Sequence, residues 1–67
     1  MTFQYQRLAE QLSQKIYQHE LQPQQKLSSL REFARQQKIS LSTAQQCYEL
    51  LEAKGLIYVK PKSGYFV

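Results

Sequence analysis

Cysteine occurs once in this chain, at Cys47, and histidine once, at His19. No internal disulfide is available, and no set of Cys and His at metal-ligating spacing exists. That usage fits a reducing cytoplasm. Long apolar runs are also missing: none approaches the roughly 20 residues of a membrane span. The start "MTFQYQRLAEQLSQ" lacks the basic-then-apolar order of a signal peptide, so the chain reads as soluble and untargeted. With only two glycines, Gly55 and Gly64, there is no glycine-rich phosphate loop, and neither a carboxylate pair nor a Cys and His dyad is present to support catalysis. An enzyme is not expected.

What the chain does have is enough to fold. Its 67 residues allow one domain, spanning 1–67, with a small core whose burial barely exceeds the conformational entropy it must offset. Hydrophobic residues make up 42% and charged residues 21%, ordinary for a folded domain and not for a disordered one. Nine Lys and Arg against five Asp and Glu leave a net charge of +4, which favours a polyanionic partner. The glutamine pairs in "QPQQ", "RQQK" and "AQQC" interrupt periodic segments and read as helix surface.

Periodicity divides the chain into four segments. From about Thr2 to Glu20, Tyr5, Leu8, Ala9, Leu12 and Ile16 recur at helical spacing, with Thr2 as N-cap and Pro23 as terminator. Lys26 and Leu27 fit a very short strand. Ser29 followed by Glu32 forms a capping-box pattern for a second helix of about two turns, which buries Leu30, Phe33 and Ala34 and stops near Gln37. Ser40 then caps a third helix, about 41–54. There Ala44, Cys47, Tyr48 and Leu51 share one face, while Ser42, Gln45, Gln46 and Glu49 share the other. Gly55 suits the left-handed residue after a helix, with Leu56 folding back. In "LIYVKPKSGYFV", two β-rich runs flank a turn, the pattern of a hairpin.

Two helices joined by a three- or four-residue turn cross steeply and leave the polar face of the second pointing outward. The fold class is therefore mostly α with a small β-hairpin: a winged helix-turn-helix of three helices plus a wing. The outward face matches the width of the major groove. Gln45 and Gln46 suit adenine edges, Ser42 and Thr43 suit phosphates, and the loop residues Lys60, Lys62, Ser63 and Gly64 suit a phosphate strand or the minor groove. Exposed glutamines are also ordinary helix surface, and lysine on an edge hairpin also guards against edge pairing. Cys47 and Tyr48 read as core, and His19 as a residue whose place near the end of the first helix is explained by favourable interaction with the helix dipole.

"YQRLAEQLSQKI", "LSSLREFA", "ISLSTAQQCYELLEAKGLI" and "SGYFV" together resemble the N-terminal winged-helix domain of GntR-family transcription regulators over nearly the whole chain. "YELLEAKGL" with "SGYFV" is most similar to the MocR branch. The resemblance implies duplex DNA as partner and a bacterial cytoplasmic setting. It also implies an effector domain following this segment, and homodimerisation through that domain, so that the isolated segment is expected to be monomeric. No cofactor is implied for 1–67 itself; a pyridoxal-phosphate domain would follow in a MocR-like protein. By the resemblance, Arg31 reaches DNA from the second helix, Ser40, Ser42 and Thr43 are the hydroxyl positions opening the recognition helix, and Gly64 is the wing-tip glycine. Three departures stand out: Leu41 and Gln45 replace arginines common in the family, and Lys38 replaces the usual turn glycine. Readout should shift from guanine toward adenine. The alternative function is a winged helix that contacts protein or RNA without specific DNA readout.

Overall fold

A computed structural model describes residues 4–67. Its elements run α1 (Gln4–Tyr17), α2 (Leu30–Gln37), α3 (Leu41–Ala53), β1 (Tyr58–Lys60) and β2 (Gly64–Phe66). This is the expected order of three helices and a hairpin. The proposed cap Thr2 lies outside the described residues. α1 and α2 both pack on α3, and the strands form one antiparallel pair in which Tyr58 faces Phe66, Val59 faces Tyr65 and Lys60 faces Gly64. The core is Ala9 from α1, Phe33 and Ala34 from α2, Ala44, Cys47, Tyr48 and Leu51 from α3, with Leu27 and Ile57 closing its ends. The stripe anticipated on α3 is thus buried in full.

All three helices end in the same way, which matters in a chain with so little glycine. In each, a residue with positive φ follows the helix. Its amide and the next one donate back to carbonyls in the last turn, the Schellman arrangement. For α3 the residue is Gly55 (φ 76), with Gly55 N donating to Glu52 O at 2.9 Å and Leu56 N to Leu51 O at 3.1 Å. For α2 it is Lys38 (φ 57), with Lys38 N donating to Arg35 O at 3.3 Å and Ile39 N to Ala34 O at 3.0 Å. For α1 it is His19 (φ 62), with His19 N donating to Ile16 O at 3.1 Å and Glu20 N to Lys15 O at 2.9 Å.

The last case corrects the sequence reading. α1 stops at Tyr17, not near Glu20, and Pro23 does not stop it: the carbonyls are already capped by the His19 turn four residues earlier. Downstream, Gln22 stitches the loop by donating its side-chain amide to His19 O at 2.6 Å. Ser13 is buried on α1 although its type favours the surface, because its hydroxyl donates to Ala9 O at 2.8 Å.

The short strand anticipated at Lys26 and Leu27 exists as a bridge to β2. Lys26 pairs with Phe66, Leu27 N donates to Tyr65 O at 2.8 Å, and Val67 N donates to Gln25 O at 2.9 Å. The wing is thereby fastened to the segment that leads into α2. Since a non-glycine side chain in the left-handed region is strained by roughly 1 kcal/mol or more, Lys38→Gly should raise unfolding stability by about 1 kcal/mol. Urea denaturation of the two proteins checks this; an unchanged or lowered midpoint would show that the turn carries no such strain.

Candidate nucleic-acid interface

The turn between α2 and α3 is three residues long, Lys38 to Ser40, and both helices beside it begin with a serine cap. Ser29 Oγ accepts from Glu32 N at 3.2 Å and donates to Glu32 Oε1 at 3.1 Å, so the capping pair forms, with the glutamate returning to the hydroxyl. Ser40 Oγ accepts from Thr43 N at 3.0 Å and donates to Thr43 Oγ1 at 2.8 Å. The Ser40 hydroxyl is therefore committed to capping α3. Ser42 stays exposed, and Thr43, half-buried, keeps its own hydroxyl proton to donate.

Further along α3, Gln45, Gln46 and Glu49 are exposed as anticipated. Gln45 is not idle, since its side-chain amide donates to Glu49 Oε1 at 3.2 Å. This i, i+4 pair is a feature the sequence already carried and the reading above did not use. It holds Gln45 along the helix surface, leaving Gln46 as the less constrained of the two amides.

In the wing, Pro61 and Lys62 occupy the middle of a turn in which Ser63 N donates to Lys60 O at 2.9 Å, and Lys62 takes positive φ (68). Proline followed by a positive-φ residue is the type II pattern, normally completed by glycine. Gly64 is displaced from the role expected for it. It is the first residue of β2, at the foot of the loop, and the tip is Pro61 to Ser63. Its φ of 119 is open essentially to glycine alone, and an added Cβ would lie 3.3 Å from Lys26 Cε, so the Lys26 stem passes over it. The two wing lysines also differ. Lys62 is exposed at the tip, whereas the Lys60 ammonium sits 5.0 Å from the centre of the Phe66 ring and 5.8 Å from that of Tyr58, over a stacked aromatic pair.

Of the anticipated residues, Arg31, Leu41 and Gly64 meet on one face, whereas Ser42, Thr43, Gln45, Gln46, Lys60, Lys62 and Ser63 lie outside its lining. A shallow concavity of about 320 Å³ is lined by Ser29, Leu30 and Arg31 at the start of α2, Leu41 at the start of α3, and Gly64 and Tyr65 of the wing. Arg31 and Leu41 are both exposed there. Arg31, Leu41 and Gly64 were anticipated from sequence; Leu30, expected in the buried stripe of α2, is only half-buried and lines the concavity, because its place in the first turn of α2 lies at the edge of the core, and nothing in its local pattern marks Tyr65. Behind the concavity stands Tyr48, 1% exposed, whose hydroxyl donates to Ser28 O at 2.8 Å. Its ring lies 5.0 Å from Phe33 of α2 and 4.8 Å, edge to face, from Tyr65 of β2. Tyr48 is thus more than core filling, because it joins α3 to α2, to the approach to α2 and to the wing.

The family model described as bacterial regulatory proteins, gntR family, matches residues 4–67. The chain belongs to the GntR family. This GntR domain is 43% identical over 60 residues to YjiR, an uncharacterized HTH-type transcriptional regulator of Escherichia coli (strain K12), covering 90% of this chain and 12% of that protein. It therefore spans only a small part of such a relative's length. Among solved structures it is similar to YtrA from Sulfolobus acidocaldarius, a GntR-family transcription factor, with a TM-score of 0.93 and 35% identity over 98% of this chain and 69% of that one. It is also similar to AraR(DBD) in complex with operator ORX1, with a TM-score of 0.93 and 30% identity over 100% of this chain and 81% of that one. Among the described residues no group of His, Cys, Asp or Glu could hold a metal ion, and no helix is long and apolar enough to cross a membrane.

The buried phenol and thiol of this GntR domain have a consequence for pH. Burial pushes the Cys47 thiol up to about 11 from an ordinary 9.0, and burial first, then the neighbouring Cys47, Tyr65 and Glu32, pushes the Tyr48 phenol above its usual range. The folded state therefore keeps both protons at pH values where the unfolded chain releases them. Their contribution to stability is complete below about pH 9 and is lost as pH rises. Tyr48→Phe should lower stability by about 1 to 2 kcal/mol at neutral pH, because Ser28 O loses its donor, and should flatten the alkaline decline. Urea midpoints at pH 7 and above pH 10 test both; equal stability of the two proteins at neutral pH would contradict the anchor.

Proposed function

We infer that this GntR domain reads operator DNA for a bacterial transcription regulator, with α3 in the major groove and residues 60–64 on the adjacent backbone or minor groove. The observation that carries this reading is the convergence of Arg31, the start of α3 and the foot of the wing on one concave face. The likeness to AraR(DBD), solved with its operator, supports it. Arg31, exposed in the first turn of α2, suits a phosphate or base edge. Ser42 and Thr43, near the positive end of the α3 dipole, suit phosphate oxygens, and Gln46, with Gln45 once it leaves Glu49, suits adenine. Ser40 contributes by capping α3, and Lys62 by charge at the wing tip.

Lasting dimerisation is assigned to the remainder of a longer regulator of the YjiR kind, where two linked domains on paired half-sites would multiply the affinity of each. Such a regulator acts on chromosomal DNA, hence in the cytoplasm. The competing reading, a winged helix for protein or RNA contacts, differs in its response to salt. Neutralising duplex phosphates releases counterions, so affinity falls steeply as salt rises, whereas an interface of neutral glutamines changes little.

Fluorescence anisotropy of a labelled random-sequence duplex, titrated with the domain at several salt concentrations, separates these readings. Binding that collapses with salt is expected; a salt-insensitive signal or none would overturn DNA binding. Arg31→Ala should weaken duplex affinity by roughly 1 to 3 kcal/mol with little change in unfolding midpoint, and unchanged affinity would remove Arg31 from the interface. Replacing Lys60 and Lys62 together should reduce the logarithmic salt slope by about 2 without altering sequence preference. If only the Lys62 change moves the slope, the aromatic seat of Lys60 keeps its charge from the phosphates.

A further inference from the structure

We propose that Leu41 reads the 5-methyl group of a pyrimidine in the major groove, giving the domain a requirement for thymine, or for 5-methylcytosine in its place, at one position of each half-site. The proposal rests on the DNA-binding reading above and specifies what that face recognises.

Leu41 opens α3 and is 47% exposed. A single exposed leucine is unremarkable in general, but this one has a defined setting. It lines the concavity together with Leu30, Gly64 and Tyr65, a mostly apolar surface, and Arg31 stands at its edge as the cation that would hold a phosphate strand nearby. The N-cap of α3 is supplied by Ser40 with Thr43, a role in which the Leu41 side chain takes no part. Nor can Leu41 hydrogen-bond to a phosphate or to a polar base edge. Of everything the four base pairs present in the major groove, one group is apolar, the C5-methyl of thymine, and cytosine offers the same group when methylated. Gln45 lies one turn further along the same side of α3, and its amide, released from Glu49, matches adenine. A methyl-reading leucine beside an adenine-reading glutamine selects an A·T-containing step.

The test begins with duplexes selected from a random library by the domain, followed by replacement of each thymine in turn with deoxyuridine. That substitution deletes the methyl and leaves base pairing intact. At one thymine per half-site, uracil should weaken binding about fourfold, the effect of exposing one methyl-sized group. A C·G pair placed there should bind better with 5-methylcytosine than with cytosine. Leu41→Ala, whose fold is checked by its unfolding midpoint, should bind more weakly and no longer distinguish thymine from uracil at that position. Uracil without effect at every thymine, or an equal uracil penalty in Leu41→Ala, would overturn the proposal while salt-sensitive duplex binding persists. Absence of duplex binding altogether would instead remove the reading on which it rests.

Discussion

Tyr48 is the interaction on which the interface depends. A core this small has few side chains that can hold several elements at once, and Tyr48 touches the approach to α2 through its hydroxyl, α2 through Phe33 and the wing through Tyr65. Each link fixes an orientation. The hydroxyl bond sets the height of the segment that delivers Arg31, the tilted contact with Phe33 sets α2 against α3, and the edge-to-face contact with Tyr65 sets the root of the hairpin. The bridge from Lys26 to Phe66 closes the circuit on the far side. Ser29, Leu30, Arg31, Leu41, Gly64 and Tyr65, far apart in the chain, thus line a single concave face.

Charge and shape divide the work on that face. In the proposed reading, Arg31 and Lys62 are exposed cations suited to phosphates, which carry affinity and little sequence information. Specificity would then fall to the exposed side of α3, where Leu41 and Gln45 stand in place of the arginines the family resemblance would put there. Ser40 is committed to its cap and Gln45 must first leave Glu49, so in that reading Leu41, Ser42, Thr43 and Gln46 are the readers free at the outset. Under the proposed reading, such a surface would lean on apolar contact and amide pairing, not on bidentate guanidinium contacts to guanine.

The element order was legible because local signals agreed with one another. Ser29 with Glu32, Ser40 before an apolar stripe, and Gly55 after it each mark a boundary whose chemistry is contained within a few residues. The end of α1 was not legible, because His19 takes a left-handed conformation that its residue type does not announce, whereas Pro23 is conspicuous but comes after the helix has already been capped. Lys62 misled in the same way: the turn takes positive φ at a lysine while the nearby glycine starts a strand. Of the candidate site, the face of α3 could be placed from helical periodicity and Arg31 from the family resemblance. The seat of Lys60 on Tyr58 and Phe66, the reach of the Tyr48 hydroxyl to Ser28, and the contribution of Leu30 and Tyr65 to the concavity all join residues far apart in the chain. No local pattern encodes them.

If one face, assembled around Tyr48, meets duplex DNA, its residues must respond to the duplex as a unit. Amide chemical-shift mapping of the isotopically labelled domain during titration with duplex tests it most directly. The account predicts shifts clustered at Ser29 to Glu32, Leu41 to Gln46 and Lys60 to Tyr65, moving together with one affinity. Shifts centred on the opposite side, around Gln6, Gln14, Tyr17 and Lys54, or clusters that titrate with separate affinities, would contradict it.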